Sequence, residues 1–143
     1  MTTIAFDGKT LAADTLWQSA YRQQHDTPKI RRRGGLVWGT AGDASDGFIF
    51  DEWLADGMPK DKKPTLSDKD GFVALVVENG VAYRYEGALV RIPAGVPAAT
   101  GSGCEIAMGA MMAGASAKRA VEIAIKLNSG SGGKVRTLNC AKR

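Results

Sequence analysis

Residues 2–15 read TTIAFDGKTLAADT, and this stretch sets the fold class. Thr3-Ile4-Ala5-Phe6 is β-branched or apolar at each position, the composition of a strand. Asp7-Gly8 is a favoured pair for a two-residue hairpin turn, and Thr10-Leu11-Ala12-Ala13 returns beside the first strand. The small side chains of Ala12 and Ala13 place the return strand in the interior, against close neighbours. The chain therefore opens on a buried hairpin, and the later segments must supply its cover.

Downstream, residues 15–28 are polar and irregular, and Pro28 keeps Thr27 out of helical geometry. Lys29-Ile30-Arg31-Arg32 alternates as a strand with one wet face does. Gly34-Gly35 turns the chain into a second strand, Leu36–Ala41, which ends at Gly42. Asp43 or Ser45 can cap a helix by accepting from a free backbone N–H. Ile49, Phe50, Trp53 and Leu54 give that helix one apolar stripe, and Gly57 and Pro59 end it. Residues 58–70, rich in lysine and aspartate, read as a solvated loop. Phe72–Val77 is a continuous apolar run, hence a buried strand; Asn79-Gly80 turns it into Val81–Tyr85. A proline- and glycine-containing stretch, Ile92 to Pro97, leads to a short strand, Ala98-Ala99-Thr100, and then to Gly101-Ser102-Gly103. Two helices are expected next, over 104–113 and after a Ser116 cap. In the second, Ala120, Ile123, Ala124 and Leu127 hold helical spacing. Asn128 to Gly133 is a turn, and Lys134–Leu138 a last strand. Strands in groups with helices set apart from them indicate an α+β fold, two sheets covered by helices. No linker or internal repeat divides the chain, so 1–143 is expected to be a single domain.

The composition agrees. The chain has 143 residues, 44% apolar and 24% charged, which excludes wholesale disorder. No apolar run reaches the ~18–20 residues of a membrane span, so no membrane association is expected. No basic segment followed by an apolar stretch opens the chain, and the only cysteines are Cys104 and Cys140. Both features suit a cytoplasmic protein with free thiols. The net charge of +4 is modest. Its basic residues cluster at Arg31–Arg33, at Lys60 to Lys63 and at Lys142-Arg143, with no aromatic platform beside the arginines. That pattern argues against nucleic acid as the partner.

Most familiar chemistries are missing. A single histidine, His25, and two distant cysteines do not make a zinc site, and no cofactor or metal is expected. A serine triad would need His25, and no G-x-S-x-G elbow accompanies it. There is no phosphate-binding glycine motif. The N-terminus differs. Removal of Met1 would leave Thr2 with a free α-amino group and a hydroxyl on one residue. Such an amine has a pKa near ~7.7–8.0 and can activate the hydroxyl beside it as a nucleophile.

Five segments then occur in order: TTIAFDGKTLAADT, PKIRR (28–32), GTAGDASD (39–46), ATGSGCEIAMGA (99–110) and SGSGG (129–133). As an ordered set they resemble the N-terminal-nucleophile peptidases of the proteasome β-subunit and bacterial HslV type, from Thr2 to about Asn139. The resemblance implies a four-layer αββα sandwich of two antiparallel sheets flanked by helices. It also implies a threonine endopeptidase. Thr2 would attack the scissile carbonyl through Oγ, with its own amine as base. Asp14 matches the family's acidic residue and would hold Lys29, which matches the family's lysine. The Lys29 ammonium would favour the deprotonated amine and the developing alkoxide. Gly42 matches the glycine whose N–H forms the oxyanion hole. Ser102 matches the serine placed to bond the terminal amine, and Ser131 a further supporting serine.

Several features depart from that family. Asn128 stands where proteasome-type sequences carry aspartate, three residues before the last serine. The first hairpin is trimmed at Asp7-Gly8. After Leu54 one short helix and a charged loop replace two long helices, which shortens one helical layer. The resemblance further implies a homo-oligomeric ring enclosing the sites, a peptide or unfolded-protein substrate, and an ATP-dependent unfoldase as partner. The alternative function is a catalytically inactive scaffold or regulator of the same fold.

Overall fold

The computed structural model describes residues 1–19 and 21–140; the basic pair Lys142-Arg143 lies outside them. The opening hairpin forms as β1 (Thr3–Phe6) and β2 (Thr10–Ala13), paired antiparallel with Ile4 opposite Ala13. Its turn is displaced by one residue from the expected Asp7-Gly8. The Asp7 N–H donates to the Thr10 carbonyl, so Gly8 and Lys9 form the tip, and Gly8 takes φ +101°. The Asp7 carboxylate is what selects this register. One oxygen accepts from the N–H groups of Lys9 and Thr10, and the other from the N–H of Ala117.

After β3 (Trp17–Ser19) and β4 (Arg22–Gln24) come β5 (Ile30–Arg33), β6 (Leu36–Ala41), α1 (Ala44–Ala55), β7 (Val73–Glu78) and β8 (Val81–Tyr85). The chain continues with β9 (Arg91–Pro93), β10 (Ala98–Gly101), α2 (Cys104–Met112), α3 (Ala117–Leu127) and β11 (Arg136–Asn139). The described residues form two large sheets, ordered β10-β1-β2-β11 and β5-β6-β7-β8-β9, and a separate two-stranded ribbon, β3-β4, with all pairs antiparallel. Strand alternation sorts the side chains into layers. Ile4, Phe6, Leu11 and Ala13 of the first sheet meet Ile30, Val37, Leu75 and Val77 of the second. Ala5 and Ala12, on the opposite face, pack against Ala107, Ala117, Ala120 and Val121 of α2 and α3. Trp38, Ala74, Val76 and Tyr85 turn outward onto Phe50, Trp53 and Leu54 of α1. The order is helices, sheet, sheet, helix: an αββα sandwich whose second helical layer is α1, with only a short 3-10 turn, Lys60–Lys62, after it.

Other details also differ from the sequence reading, and β9 is a strand it did not expect. The polar stretch after Thr15 carries the β3–β4 ribbon, whose described residues are exposed on both faces, so no buried side imposes an alternation. The stripe of α3 is Ala117, Ala120, Val121 and Ala124, while Leu127 points to solvent. The loop after α1 is anchored rather than merely solvated. Asp46, fully buried on α1, accepts from the N–H and hydroxyl of Ser67 and from the N–H of Asp68. No helix among the described residues is long and apolar enough to cross a membrane.

Candidate active site

The hairpin register brings Thr3 opposite Asp14. The Thr3 N–H donates to Asp14 Oδ1 (3.0 Å) and the Asp14 N–H to the Thr3 carbonyl (3.2 Å). Asp14 has no exposed surface. A carboxylate can be held there only if its lone pairs are occupied. Its second oxygen accepts from the N–H of Gly132 (3.0 Å), and Lys29 Nζ lies 3.1 Å and 3.0 Å from the two oxygens. Lys29 enters from the residue before β5, with a side chain 8% exposed. The same ammonium donates to Thr2 Oγ1 (3.2 Å) and to the Met1 carbonyl (2.9 Å). Burial lowers the Lys29 pKa by more than the adjacent Asp14 charge and hydrogen bond restore, leaving it below its ordinary 10.5.

Three of the residues singled out by sequence, Thr2, Asp14 and Lys29, thus form one bonded cluster. Ser102 joins at its edge, its hydroxyl 3.4 Å from the Thr2 carbonyl. Gly42, at the end of β6, lines a cavity of about 600 Å³ whose walls also include Thr2, Lys29, Thr27, Thr40 and Phe48. Ser131 is buried, but its hydroxyl meets Thr3 Oγ1 (2.7 Å). It therefore supports the residue after Thr2. His25 is exposed, and only its backbone carbonyl is engaged, with the Thr15 hydroxyl.

Sequence reasoning passed over the glycines flanking Ser102. A Cβ on Gly101 would stand 2.0 Å from the Thr2 carbonyl oxygen, and one on Gly103 would stand 2.1 Å from Thr3 Oγ1. These glycines let the segment running from β10 into α2 lie directly on Thr2 and Thr3. Gly132 was likewise missed as a ligand of Asp14. The repeated glycine-serine alternation in 101–103 and 129–133 is the signal that could have found both.

The cluster places a cation beside a threonine hydroxyl, with a buried carboxylate fixing the cation. The Thr2 nitrogen is an amide of the Met1–Thr2 peptide bond, so as it stands it has no basic lone pair. Among the described residues no group of three or more His, Cys, Asp or Glu side chains is placed to hold a metal ion.

No protein-family model matches the chain, and no curated protein matches it. Solved structures do. Thiobacillus denitrificans BPH in complex with epoxomicin superposes with a TM-score of 0.75 at 19% identity, covering 99% of this chain and 98% of that one. Thiobacillus denitrificans BPH gives 0.73 at 20%, covering 99% and 98%. Eukaryotic HslV from Trypanosoma brucei gives 0.73 at 19%, covering 96% and 97%. The chain has the fold of these structures over almost its whole length.

Proposed function

We propose that residues 1–143 form one N-terminal-nucleophile hydrolase domain, a threonine peptidase whose nucleophile is Thr2 Oγ once Met1 is removed. The observation that carries this reading is the position of Lys29 Nζ, in hydrogen-bond reach of Thr2 Oγ1 and of both Asp14 oxygens. A freed Thr2 amine takes the hydroxyl proton, directly or through one water. Oγ adds to the scissile carbonyl, and the oxyanion is held by the Gly42 N–H. The intermediate collapses to an ester on Thr2 as the leaving amine takes the proton. Water, activated by the same amine, then hydrolyses the ester. Lys29 remains an ammonium throughout; its charge lowers the pKa of the neighbouring amine and offsets negative charge growing on Oγ. Ser102 supports the Thr2 backbone, and Ser131 fixes Thr3.

Homo-oligomeric rings, substrate peptides fed by an ATP-dependent unfoldase, and a cytoplasmic setting complete this reading, by likeness of fold. Intact-mass measurement with an epoxyketone tests the core of it. The expected result is loss of Met1 and a single adduct that Thr2→Ala abolishes. A Thr2→Ala chain that hydrolyses peptides at the wild-type rate would end the proposal, and sedimentation as a monomer at micromolar concentration would end the ring.

One observation favours a second reading, an inactive scaffold of the same fold. The Met1 carbonyl accepts from Lys29, and Gly130 packs against the Met1 side chain, where a Cβ would stand 2.4 Å from Met1 Cβ. Met1 is thus in contact with the cluster although largely exposed, and a chain purified with Met1 intact and inert to the epoxyketone selects this reading.

A further inference from the structure

The turn between α3 and β11 reaches the residues around Thr2 at three successive positions. Gly130 lies against Met1, Ser131 Oγ against Thr3 Oγ1, and the Gly132 N–H on Asp14. Asn128 starts this turn. Its N–H donates to the Ala124 carbonyl, closing α3, and its carbonyl accepts from the Ser131 N–H (3.2 Å). Its side chain then crosses to the other loop. Oδ1 accepts from the Gly130 N–H (2.9 Å) and lies 3.3 Å from Ser102 Oγ, while Nδ2 donates to the Ser102 carbonyl (3.0 Å).

The chemistry of the partners fixes the orientation of this amide. A backbone N–H can only donate, so the atom facing Gly130 is an oxygen; a backbone carbonyl can only accept, so the atom facing Ser102 must carry hydrogen. We propose that Asn128 is a positioning residue that locks Ser102 and the 128–132 turn in place around Thr2, and that it does so specifically as an amide. An aspartate would keep the Gly130 bond and set its other oxygen against the Ser102 carbonyl. Two acceptors facing each other at that distance repel, and Ser102 shifts away from the Thr2 carbonyl it now reaches. Asn128 is therefore not an aspartate lacking its charge; the two readings predict opposite effects of restoring the acid.

The inference rests on the peptidase reading for its kinetic consequence, and on the hydrogen bonds alone for its structural one. The test compares Asn128→Asp and Asn128→Leu with wild type in the full chain. It measures kcat and KM on a peptide substrate, the melting temperature, and hydrogen exchange of the Gly130 N–H and the Asn128 side-chain amide. Misplacing a support by a fraction of an ångström lowers kcat rather than binding, so both variants are expected to lose about tenfold in kcat, with KM within about twofold. The Gly130 N–H stays protected in the aspartate variant and exchanges faster in the leucine one. In a Ser102→Ala background the aspartate effect shrinks, because the two residues act as a unit. An aspartate variant as active as wild type, or more so, overturns the proposal. So does a fall in melting temperature with kcat per folded molecule unchanged. If wild type itself hydrolyses nothing, the peptidase reading fails separately. The amide is then judged by exchange alone: protection of both groups in wild type upholds it, and fast exchange of either refutes it.

Discussion

Gly42→Ala isolates the demand that the site makes on the backbone. Gly42 holds φ +118°, and a Cβ there would stand 2.6 Å from the Gly71 carbonyl oxygen and 3.1 Å from Phe72 Cα. Two penalties therefore add. Forcing a residue with a side chain into this conformation costs about 1–2 kcal/mol. Driving a methyl into backbone that cannot step aside costs about as much again, ~1–3 kcal/mol. A natural control separates them. Gly57 also has positive φ, +86°, but nothing lies within 4 Å of its Cβ position, so Gly57→Ala carries the conformational penalty alone. An unfolding entropy of ~2.1 cal/mol/K per residue makes ~3 kcal/mol worth about 10 °C in a chain of 143 residues, and the control about half that. Thermal melts of the two variants measure the difference directly. On the peptidase reading Gly42→Ala also displaces the oxyanion donor, with a rate loss of about 10²–10³, which Gly57→Ala does not share. A Gly42→Ala protein melting no lower than Gly57→Ala would refute the steric argument.

Three further outcomes are expected. Lys29 has a folded pKa below 10.5, so between its folded value and 10.5 only the unfolded chain binds the proton. Wild type should therefore gain stability relative to Lys29→Met as pH rises through that window, as read by melts from neutral to alkaline pH; a flat difference would contradict the burial argument. Burial raises the Asp46 pKa, but the N–H groups of Ser67 and Asp68 and the Ser67 hydroxyl outweigh it and hold it below 3.8. That contribution is present above 3.8 and is lost as pH falls through the folded value. Asp46→Asn should accordingly flatten the acid limb of the stability curve and open the 58–71 loop to protease at neutral pH; an unchanged cleavage pattern would show the loop is held otherwise. Removing Met1 should shorten the Lys29 Nζ–Thr2 Oγ1 distance from 3.2 Å, toward the ~2.7–2.9 Å of charge-assisted bonds, in a crystal structure of the processed chain; a distance that stays or grows would be the contrary result.

What could be read from sequence was local or ordered. Asn79-Gly80 marked its hairpin because both residues take positive φ, 52° and 78°, which few other pairs tolerate. The alanines of β2 were legible as interior because small side chains suit close contacts, Ala12 against the helices and Ala13 between the sheets. β9 was missed because Arg91-Ile92-Pro93 is too short to show a period and contains a proline, which an edge strand tolerates. The core of the site came from the order of five segments, since nothing local links Asp14 to Lys29 across an exposed ribbon. Which threonine the Ser131 hydroxyl meets, Thr3, depends on the pairing register, and a shift of one residue along a strand is invisible without it. The hydrogen bonds of Asn128 were hidden for a related reason. Its worth lies in which of its two terminal atoms faces a donor, and sequence carries only its identity.

The donor count at Lys29 ties these points together. An ammonium has three hydrogens, and Nζ has four acceptors in reach: the Met1 carbonyl, Thr2 Oγ1 and the two oxygens of Asp14. One of them must share. The longest contact is the one to Thr2 Oγ1, the nucleophile of the proposed chemistry, and the shortest is to Met1, whose removal that proposal requires. Asp14 cannot yield, because it is fully buried and its carboxylate also holds the Thr3 and Gly132 N–H groups. Met1 is therefore the competitor whose departure redistributes the ammonium's bonds. On the peptidase reading its loss frees the base and, in the same event, leaves three acceptors for three hydrogens, one of them the nucleophile. On that reading the unprocessed cluster is quiet for two reasons with a single cause.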